Sequence, residues 1–298
     1  MATSLINRAG PASVALESTL LLHGVPRDSA LPLFDELEAI VGSEGAHAAT
    51  IGVLHGRPVV GLSRDELAEL LDAGPVAKLN TANLGVALHR AHHGATTVSA
   101  TMELAALAGI RVFATGGLGG VHRGYGEHWD VSADLFALTR FPVGVVASGV
   151  KNLLDVGATR EFLETLGVPV VGFRTERFPA FYFRESPASV DASFDDEAEL
   201  AAYLRAELGR TGRGVLVCNP IPPEAELDRH AWDGWLASAE AQARQGGASG
   251  RGVTPAVLGA LHGVSGGATL RANLALVRSN AALGARLALK MGSGPAKA

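Results

Sequence analysis

The chain has 298 residues, a hydrophobic fraction of 47%, a charged fraction of 18% and a net charge of -5. This composition indicates a folded protein with a sizeable core, and it excludes a disordered or coiled-coil chain. The acidic net charge argues against nucleic-acid binding, because phosphate neutralisation requires a concentrated basic face. The single cysteine, Cys218, excludes an intrachain disulfide and a multi-cysteine zinc site, so a reducing, cytoplasmic location is predicted. No apolar run predicts a membrane span or a secretion signal.

The first part of the chain begins with a strand-like pattern and continues with a helical one. Residues 1–12 are predicted to form a flexible tail, and the apolar run 13–22 is predicted to form a strand that contains one acid, Glu17. That acid either points to solvent at the end of the strand or is a partly buried general acid with a raised pKa, and both interpretations stay open. The spacing of apolar residues then predicts a helix over 28–41.

A hairpin and two further helices are predicted next, with His55 in the hairpin turn and a capping box at Ser63. The later helix covers residues 81–93 and ends in three histidines: His89, His92 and His93. A helix C-terminus favours cations, which is sufficient to explain histidines there. Metal binding is the alternative, but no carboxylate lies at ligand spacing beside them.

Lysine is rare in this chain, with four lysines among 25 basic residues. Lys290 and Lys297 lie near the end of the chain and are interpreted as surface charge. Lys78 and Lys151 lie beside apolar strands. A lysine amine at such a position can act as a nucleophile, whereas arginine neither loses its proton nor forms an imine.

The middle of the chain carries the densest set of candidate site residues. A buried-type strand over 110–114 precedes the glycine-rich turn TGGLGG at 115–120, whose backbone N–H groups can bind an anion. The loop after this turn concentrates polar groups: His122, Arg123, Glu127, His128 and Asp130. Asp130, with oxygen-rich neighbours and no cysteine, indicates a hydrated Mg²⁺ or Mn²⁺. Ser132 and Asp134 at the start of the next helix are also standard caps.

A second buried strand over 142–147 leads into Lys151. Open α/β sheets bind ligands at the carboxyl ends of their strands, so this lysine is predicted to lie at a crevice. There it is either a desolvated amine that attacks a carbonyl or the partner of a helix acid such as Asp155. Spacing alone does not separate the two.

The alternation of strands and helices predicts an α/β fold, namely a single α/β/α layered domain with a largely parallel central sheet. This domain is predicted over 13–292, with a second flexible tail over 293–298. The glycine-rich stretch 246–252 is predicted to be a flexible turn inside the domain. Neither an internal repeat nor a linker divides the chain.

Eight sequence blocks follow one another along nearly the whole chain: ALEST at 15–19, ATTVSATM at 95–102, RVFATGGLGGVHRG at 111–124, DVSADL at 130–135, SGVKNLLD at 148–155, GVPVVGFRTERFPAFYFRESP at 167–187, NPIPPE at 219–224 and TLRANLALVRSNAALGARLA at 269–288. Together they resemble the pseudouridine-5'-phosphate glycosidases, also called pseudouridylate synthases. The resemblance implies a reversible reaction in which pseudouridine 5'-phosphate and water give uracil and ribose 5-phosphate.

The resemblance also implies a mechanism. A C-nucleoside offers no leaving oxygen or nitrogen to protonate, so the acid-plus-water mechanism of ordinary glycosidases does not suffice. An imine at C1' of a ring-opened ribose makes the bond to the base breakable, and the imine-forming lysine of the family matches Lys151. The acid that assists ring opening and uracil protonation matches Glu17. Asp130 matches the ligand of a Mn²⁺ ion that is otherwise mostly hydrated, with Mg²⁺ as an alternative.

Further positions are implied to contact the substrate or to line its pocket: Lys78, Val98, His122, Ser132, Ala133, Asp134 and Asn273. The segment around Ser132 is implied to bind phosphate at a helix N-terminus, where the helix dipole favours anions. The resemblance implies a homotrimer whose ligands are small molecules, with neither nucleic acid nor membrane as a partner.

One segment departs from the family pattern. Many members follow the first lysine with a segment like Ser-Arg-Arg-Asp, whereas Lys78 is followed by LNTANL at 79–84. Two basic groups are thus missing near the predicted phosphate site, which leaves open a different phosphosugar or a modified C-nucleoside as substrate. The sequence is also compatible with a related imine-forming lyase and with a non-catalytic phosphosugar-binding protein.

Overall fold

A mostly parallel sheet runs through the computed structural model, which describes residues 4–126, 129–246 and 253–292. Its strands within these ranges are β1 (Ile6–Asn7), β2 (Ser13–Glu17), β3 (His47–Leu54), β4 (Arg57–Val60), β5 (Ala77–Leu79), β6 (Gly94–Thr96), β7 (Val112–Ala114), β8 (Gly144–Ala147), β9 (Val170–Phe173), β10 (Ala192–Phe194) and β11 (Val215–Cys218). Nine of them lie in the order β1-β4-β3-β2-β7-β8-β11-β9-β10, while β6 pairs with β3 and β5. Strand β3 is antiparallel to β4 and β6, and the other pairs are parallel.

Helices cover both faces of the sheet. They are α1 (Arg27–Ser43), α2 (Arg64–Asp72), α3 (Leu84–His89), α4 (Val98–Leu107), α5 (Ala133–Ala137), α6 (Val156–Thr165), α7 (Glu197–Thr211), α8 (Arg229–Gln245), α9 (Val253–Val264) and α10 (Ala268–Met291). Helices α1 and α7–α10 pack with Val14 and Val112 on one face, while α4, α5 and α6 pack with Ala15 and Phe113 on the other. Neighbouring strand residues thus face opposite layers, as the pleat requires. The predicted α/β/α fold with a largely parallel sheet is confirmed.

The described chain before β2 is not a flexible tail. Strand β1 pairs in parallel with β4 at the edge of the sheet. Arg8, directly after β1, forms an ion pair of 2.6 Å with Glu66 of α2. The predicted tail boundary at residue 12 is therefore wrong, because strand pairing and this ion pair attach the segment to the domain. Residues 1–3, 247–252 and 293–298 lie outside the described residues, and with them the predicted tail 293–298 and most of the predicted turn 246–252.

Strand β2 ends at Glu17, before the predicted strand end at residue 22. A π-helical turn over Leu20–Gly24 follows, so the chain leaves the sheet immediately after this acid. Because β3 and β7 flank β2 in parallel, Glu17 lies at the carboxyl edge of the central strands. This is the edge at which open α/β sheets bind their ligands.

Most local signals elsewhere predict the observed elements, but the helix predicted over 81–93 is wrong in its bounds, because α3 covers only Leu84–His89 and leaves His92 and His93 beyond its end. The hairpin around His55 and the capping box at Ser63 are confirmed. The helix predicted over 28–41 is α1, whose buried residues repeat at helical spacing. None of the helices in the described ranges has both the length and the apolar composition that crossing a membrane requires.

Candidate active site

A buried hydrogen-bond network fixes the carboxyl ends of the central strands. The amide of Asn280, in α10, is fully buried and donates to the Thr115 carbonyl at 2.7 Å and to the Ser148 hydroxyl at 3.2 Å. Its oxygen accepts from the Asn219 amide at 2.9 Å. The network therefore joins the residues that follow β7, β8 and β11. The hydroxyl of Thr115 in turn donates to the carboxyl of Glu17.

A cavity of about 250 Å³ opens beside this network. It brings together four of the predicted site residues: Glu17, Lys78, Lys151 and Asn273. These residues come from β2, β5, the segment after β8 and α10, so only tertiary packing makes them neighbours. A carboxyl and two amines thus face one enclosed space.

The surroundings of the cavity shift the pKa values of Glu17 and Lys78 in opposite directions. Burial raises the pKa of Glu17, while the charges of Lys151 and Lys78 and the hydrogen bond from Thr115 oppose the shift. Burial lowers the pKa of Lys78, and the neighbouring charge of Lys151 lowers it further. Of the two sequence interpretations of Glu17, the solvent-pointing acid is wrong, because this carboxyl is buried; its role as a general acid stays a prediction.

Backbone contacts fix the segment that carries Lys151 into the cavity lining. Its N–H donates to the carbonyl of Leu118 in the glycine-rich turn at 3.1 Å. Gly149, two residues earlier, has φ 71°, and a Cβ there would lie 1.8 Å from the Pro179 carbonyl oxygen. Asp155 instead caps α6 by accepting from the Ala158 N–H at 2.9 Å. The alternative pairing of Lys151 with Asp155 is wrong, since the described residues contain no ion pair between them.

Asp134 accepts from two backbone N–H groups, one in α4 and one in the glycine-rich turn. Its carboxylate accepts from the Ser99 N–H at 3.1 Å and from the Gly119 N–H at 2.9 Å. Ser132 caps α5 by accepting from the N–H of Asp134 at 3.2 Å. A Cβ on Gly119 would lie 2.3 Å from the Ser132 hydroxyl, so this close approach requires glycine. The observed contacts of Asp134 and Ser132 therefore position the turn.

Several predicted substrate contacts lie outside the lining of the cavity. Val98 is 2% exposed and packs in the core at the start of α4. Ala133 begins α5 next to the cap at Ser132. These two residues, together with Ser132, Asp134 and His122, are absent from the side chains that line the cavity. Their roles toward a substrate stay predictions.

Asp130 and His122 form the predicted metal region. The Nδ1 atom of His122 lies 3.7 Å from the Asp130 carboxylate, which is 58% exposed. One carboxylate oxygen and one imidazole nitrogen in contact with solvent suit an Mn²⁺ or Mg²⁺ ion that keeps most of its waters. The residues present therefore fit the implied ion, whereas Glu127 and His128 lie outside the described residues.

The segment that departs from the family pattern forms a self-contained turn after Lys78. The Asn83 side chain accepts from the Asn80 N–H at 2.8 Å and donates to the Lys78 carbonyl at 3.1 Å. The Asn80 side chain accepts from the Ala82 N–H at 2.9 Å. The asparagines thus anchor the end of β5, which carries Lys78, instead of offering positive charge to a ligand.

The cavity also contains residues that sequence reasoning missed. The hydroxyl of Thr19 and the amide nitrogen of Asn152 are buried there and have no hydrogen-bond partner within the described part of the chain. Burial and the charge of Lys78 lower the pKa of His23. Thr19 and Asn152 lie in the blocks 15–19 and 148–155 that carry the family resemblance, which is the signal that identifies them. His23 lies in none of the blocks.

A protonatable buried carboxyl facing two amines at the carboxyl edge of a parallel sheet is typical of an α/β enzyme that acts on a carbonyl compound. The family model described as "Indigoidine synthase A like protein" matches residues 4–290. A pseudouridine-5'-phosphate glycosidase of Nocardioides sp. is 48% identical over 94% of this chain and 92% of its own length. One of Deinococcus radiodurans is 48% identical over 92% of this chain and 88% of its own.

Two crystal structures share the fold. The indigoidine synthase A-like protein of Thermotoga maritima has a TM-score of 0.89 and 35% identity, covering 98% of both chains. The prealnumycin C-glycosynthase AlnA, in complex with ribulose 5-phosphate, has a TM-score of 0.86 and 35% identity, covering 94% of this chain and 91% of its own. The chain therefore belongs to the indigoidine synthase A-like family, among the members named pseudouridine-5'-phosphate glycosidases.

Proposed function

We propose that this chain is a C-glycosidase that reversibly cleaves pseudouridine 5'-phosphate, with water, into uracil and ribose 5-phosphate. The names of its relatives support this reaction. The observation that carries the proposal is the convergence of Glu17, Lys151 and Lys78 in one cavity at the carboxyl edge of the sheet. The chemistry of a C-nucleoside requires such a set, because its carbon–carbon bond needs both a nucleophile and an acid.

The proposed mechanism uses Lys151 as the nucleophile. Its free amine attacks C1' while the bond from C1' to the ring oxygen breaks, and Glu17 donates a proton to that oxygen. The ammonium nitrogen formed by this attack returns one proton to the Glu17 carboxylate. Its lone pair then forms the C=N bond of a protonated imine as the electrons of the C1'–C5 bond pass to uracil, which takes the proton of Glu17 at C5. Water adds to the imine and releases ribose 5-phosphate and the free amine of Lys151.

The remaining cavity residues have supporting roles in this proposal. Lys78 supplies a second positive group when it is protonated, and the unpartnered polar atoms of Thr19 and Asn152 bind substrate oxygens. A hydrated Mn²⁺ or Mg²⁺ on Asp130 beside His122 would supply positive charge toward a phosphate. The homotrimer and the cytoplasmic location stay predictions, which light scattering and fractionation test respectively.

The direct test of the reaction is synthesis. The protein is mixed with uracil, ribose 5-phosphate and Mn²⁺, and free uracil and its C-nucleotide product are separated by chromatography. We expect uracil to disappear with wild-type protein and to persist with Lys151→Ala. Persistence of uracil with folded wild-type protein and metal present would rule out this substrate assignment.

Borohydride reduction identifies the nucleophile. In the presence of ribose 5-phosphate we expect a stable adduct on the peptide that contains Lys151, and its loss in Lys151→Ala. Lys78→Ala is the matched control, because that lysine lines the same cavity and has the lowered pKa. An adduct that survives in Lys151→Ala and is lost in Lys78→Ala would assign the imine to the other lysine.

A second candidate is a C-glycosidase or imine-forming lyase that acts on a different C-nucleoside or phosphosugar. It is favoured by the likeness to the C-glycosynthase and by the asparagine turn at Asn80 and Asn83, which replaces basic residues. Borohydride trapping with ribose 5-phosphate but no uracil turnover supports this candidate. Absence of both trapping and turnover supports a non-catalytic phosphosugar-binding protein.

A further inference from the structure

A second cluster of ionisable side chains lies outside the cavity, at the tip of the β3–β4 hairpin. It consists of His55 in the hairpin turn, Glu69 on α2 and His93 immediately before β6, and we call it the His55 cluster. One ligand-type atom from each of these side chains lies within 4.8 Å of the other two. Within the described residues, no other three His, Cys, Asp or Glu side chains meet this condition.

The sheet brings the two histidines together. Strands β3 and β6 are antiparallel, so the residue that follows β3 and the residue that precedes β6 converge. The N–H of Gly56 donates to the carbonyl of His92 at 2.9 Å, which fixes the hairpin tip against the chain before β6. The rings of His55 and His93 consequently meet edge to face, with their centroids 4.3 Å apart.

Helix α2 supplies the carboxylate. A capping box at Ser63 begins this helix, and Glu66 in its first turn completes the box. Glu69 follows one turn later, and its Oε1 atom lies 2.6 Å from Nε2 of His55. The carboxylate missing from the sequence near His93 is therefore provided by a helix that is distant along the chain.

Hydrogen bonds do not account for the whole His55 cluster. The Nδ1 atom of His93 is buried and has no partner among the residues that the structure describes. The side chains of His55 and Glu69 are 64% and 48% exposed, so an ion can reach them from solvent.

We propose that the His55 cluster binds a divalent transition-metal ion, with Zn²⁺ as the best match. Two imidazoles and one carboxylate are a ligand set that proteins use for zinc, with a fourth position open to water. Tetrahedral zinc at about 2.0–2.2 Å from each ligand separates the ligand atoms by about 3.4 Å, so binding requires side-chain shifts of roughly 1 Å. The ion replaces the contact between His55 and Glu69 and joins the hairpin, α2 and the start of β6.

This position links the ion to the candidate active site. Strand β6 pairs with β5, in which Lys78 lies opposite Ala95. Ala95 is only two residues from His93, so the ion supports the strand pair that carries one amine of the cavity. The proposed ion is separate from the hydrated ion predicted at Asp130, because the two sites share no residue.

The test is metal binding by the full-length chain, stripped of metal with a chelator. Zn²⁺ is titrated calorimetrically into the Asp130→Asn protein and into three further variants on that background: His55→Ala, Glu69→Gln and His93→Ala. We expect one Zn²⁺ per chain in Asp130→Asn, and an affinity lower by more than about tenfold in each cluster variant. His92→Ala is the matched control and retains the affinity, because its exposed imidazole is not a ligand in the cluster.

Two further measurements distinguish a variant that has lost the metal site from a variant that has failed to fold. Co²⁺ titrated into the stripped protein is expected to give the visible absorption of a four-coordinate site, and Glu69→Gln, which retains the shape of the side chain, is expected to lose it. Zn²⁺ is expected to raise the thermal midpoint of the protein but not that of Glu69→Gln. Equal Zn²⁺ affinity in the control and in all three cluster variants, or no Zn²⁺ binding by folded protein, overturns the proposal.

Discussion

Replacement of Asp134 by alanine removes the acceptor for the backbone N–H groups of Ser99 and Gly119. Each buried donor left without a partner costs about 1–3 kcal/mol, so we expect the free energy of unfolding to fall by about 2–6 kcal/mol. Asp134→Asn keeps one oxygen acceptor, and its expected loss is about half as large. Urea denaturation followed by circular dichroism measures both values.

The same substitution is expected to lower kcat. Gly119 follows Leu118, whose carbonyl accepts from the N–H of Lys151 at 3.1 Å. Loss of the Asp134 anchor therefore loosens the turn that positions the proposed nucleophile. Misplacement of a reacting group by about 1 Å can cost about 10²-fold in rate.

A matched control separates this anchor from an ordinary helix cap. Asp228 caps α8 by accepting one N–H, from Ala231, at an exposed site. Asp228→Ala is expected to cost about 1 kcal/mol and to leave kcat unchanged. The positioning role of Asp134 is refuted if Asp134→Ala raises KM while the free energy of unfolding stays at the wild-type value. That result would indicate a direct substrate contact instead.

The remaining predictions concern three residues near the strand ends: Glu17, Asn280 and Gly149. Because burial raises the pKa of Glu17, the rate is expected to fall as pH rises through that raised pKa. Glu17→Gln is expected to lose activity, and any remaining rate should no longer fall over this pH range. The free energy of unfolding is expected to fall as pH rises from the pKa of Glu17 in the unfolded chain to its raised pKa in the folded chain, because the folded state binds this proton more tightly. A free energy of unfolding that does not change over this range contradicts the burial argument. Asn280→Ala leaves buried polar partners unpaired and is expected to lower the free energy of unfolding, measured by urea denaturation, by about 2–3 kcal/mol. An unchanged value would show that the network is dispensable for stability. Gly149→Ala places a Cβ against the Pro179 carbonyl and is expected to lower the free energy of unfolding by about 3 kcal/mol or more. Gly85→Ala, where a Cβ meets open space, is the control and is expected to be neutral or stabilising. Equal thermal midpoints of the two variants would contradict the clash.

The outcome for Lys151 and Asp155 shows where sequence reasoning stops. A lysine after a buried strand predicts a crevice position, and the cavity confirms that position. The sequence left the choice between nucleophile and ion-pair partner open, since the spacing of four positions between Lys151 and Asp155 is compatible with either role. The structure removes the ion pair with Asp155, whose carboxylate caps α6, while the nucleophile role of Lys151 stays a prediction.

Long-range backbone contacts account for one error and for one feature that the sequence did not reveal. Residues 4–12 contain no long apolar run and predict a tail, but the edge strand β4 offers backbone partners that no local pattern reveals. The substrate contact implied for Asp134 stays a prediction, but the sequence did not reveal that its carboxylate accepts from two backbone N–H groups of other segments. In both cases a long-range backbone contact is what the local pattern lacks.

The sequence by itself determined the layered α/β fold, most helices and hairpins, and the identity of Glu17, Lys78 and Lys151 as chemically unusual residues. These features depend on apolar periodicity, capping and residue type, which act over a few neighbouring positions. Only the tertiary structure decided that these three side chains share one cavity and that Glu69 meets His55 and His93. Such contacts depend on sheet order and helix packing, which join segments that are far apart along the chain.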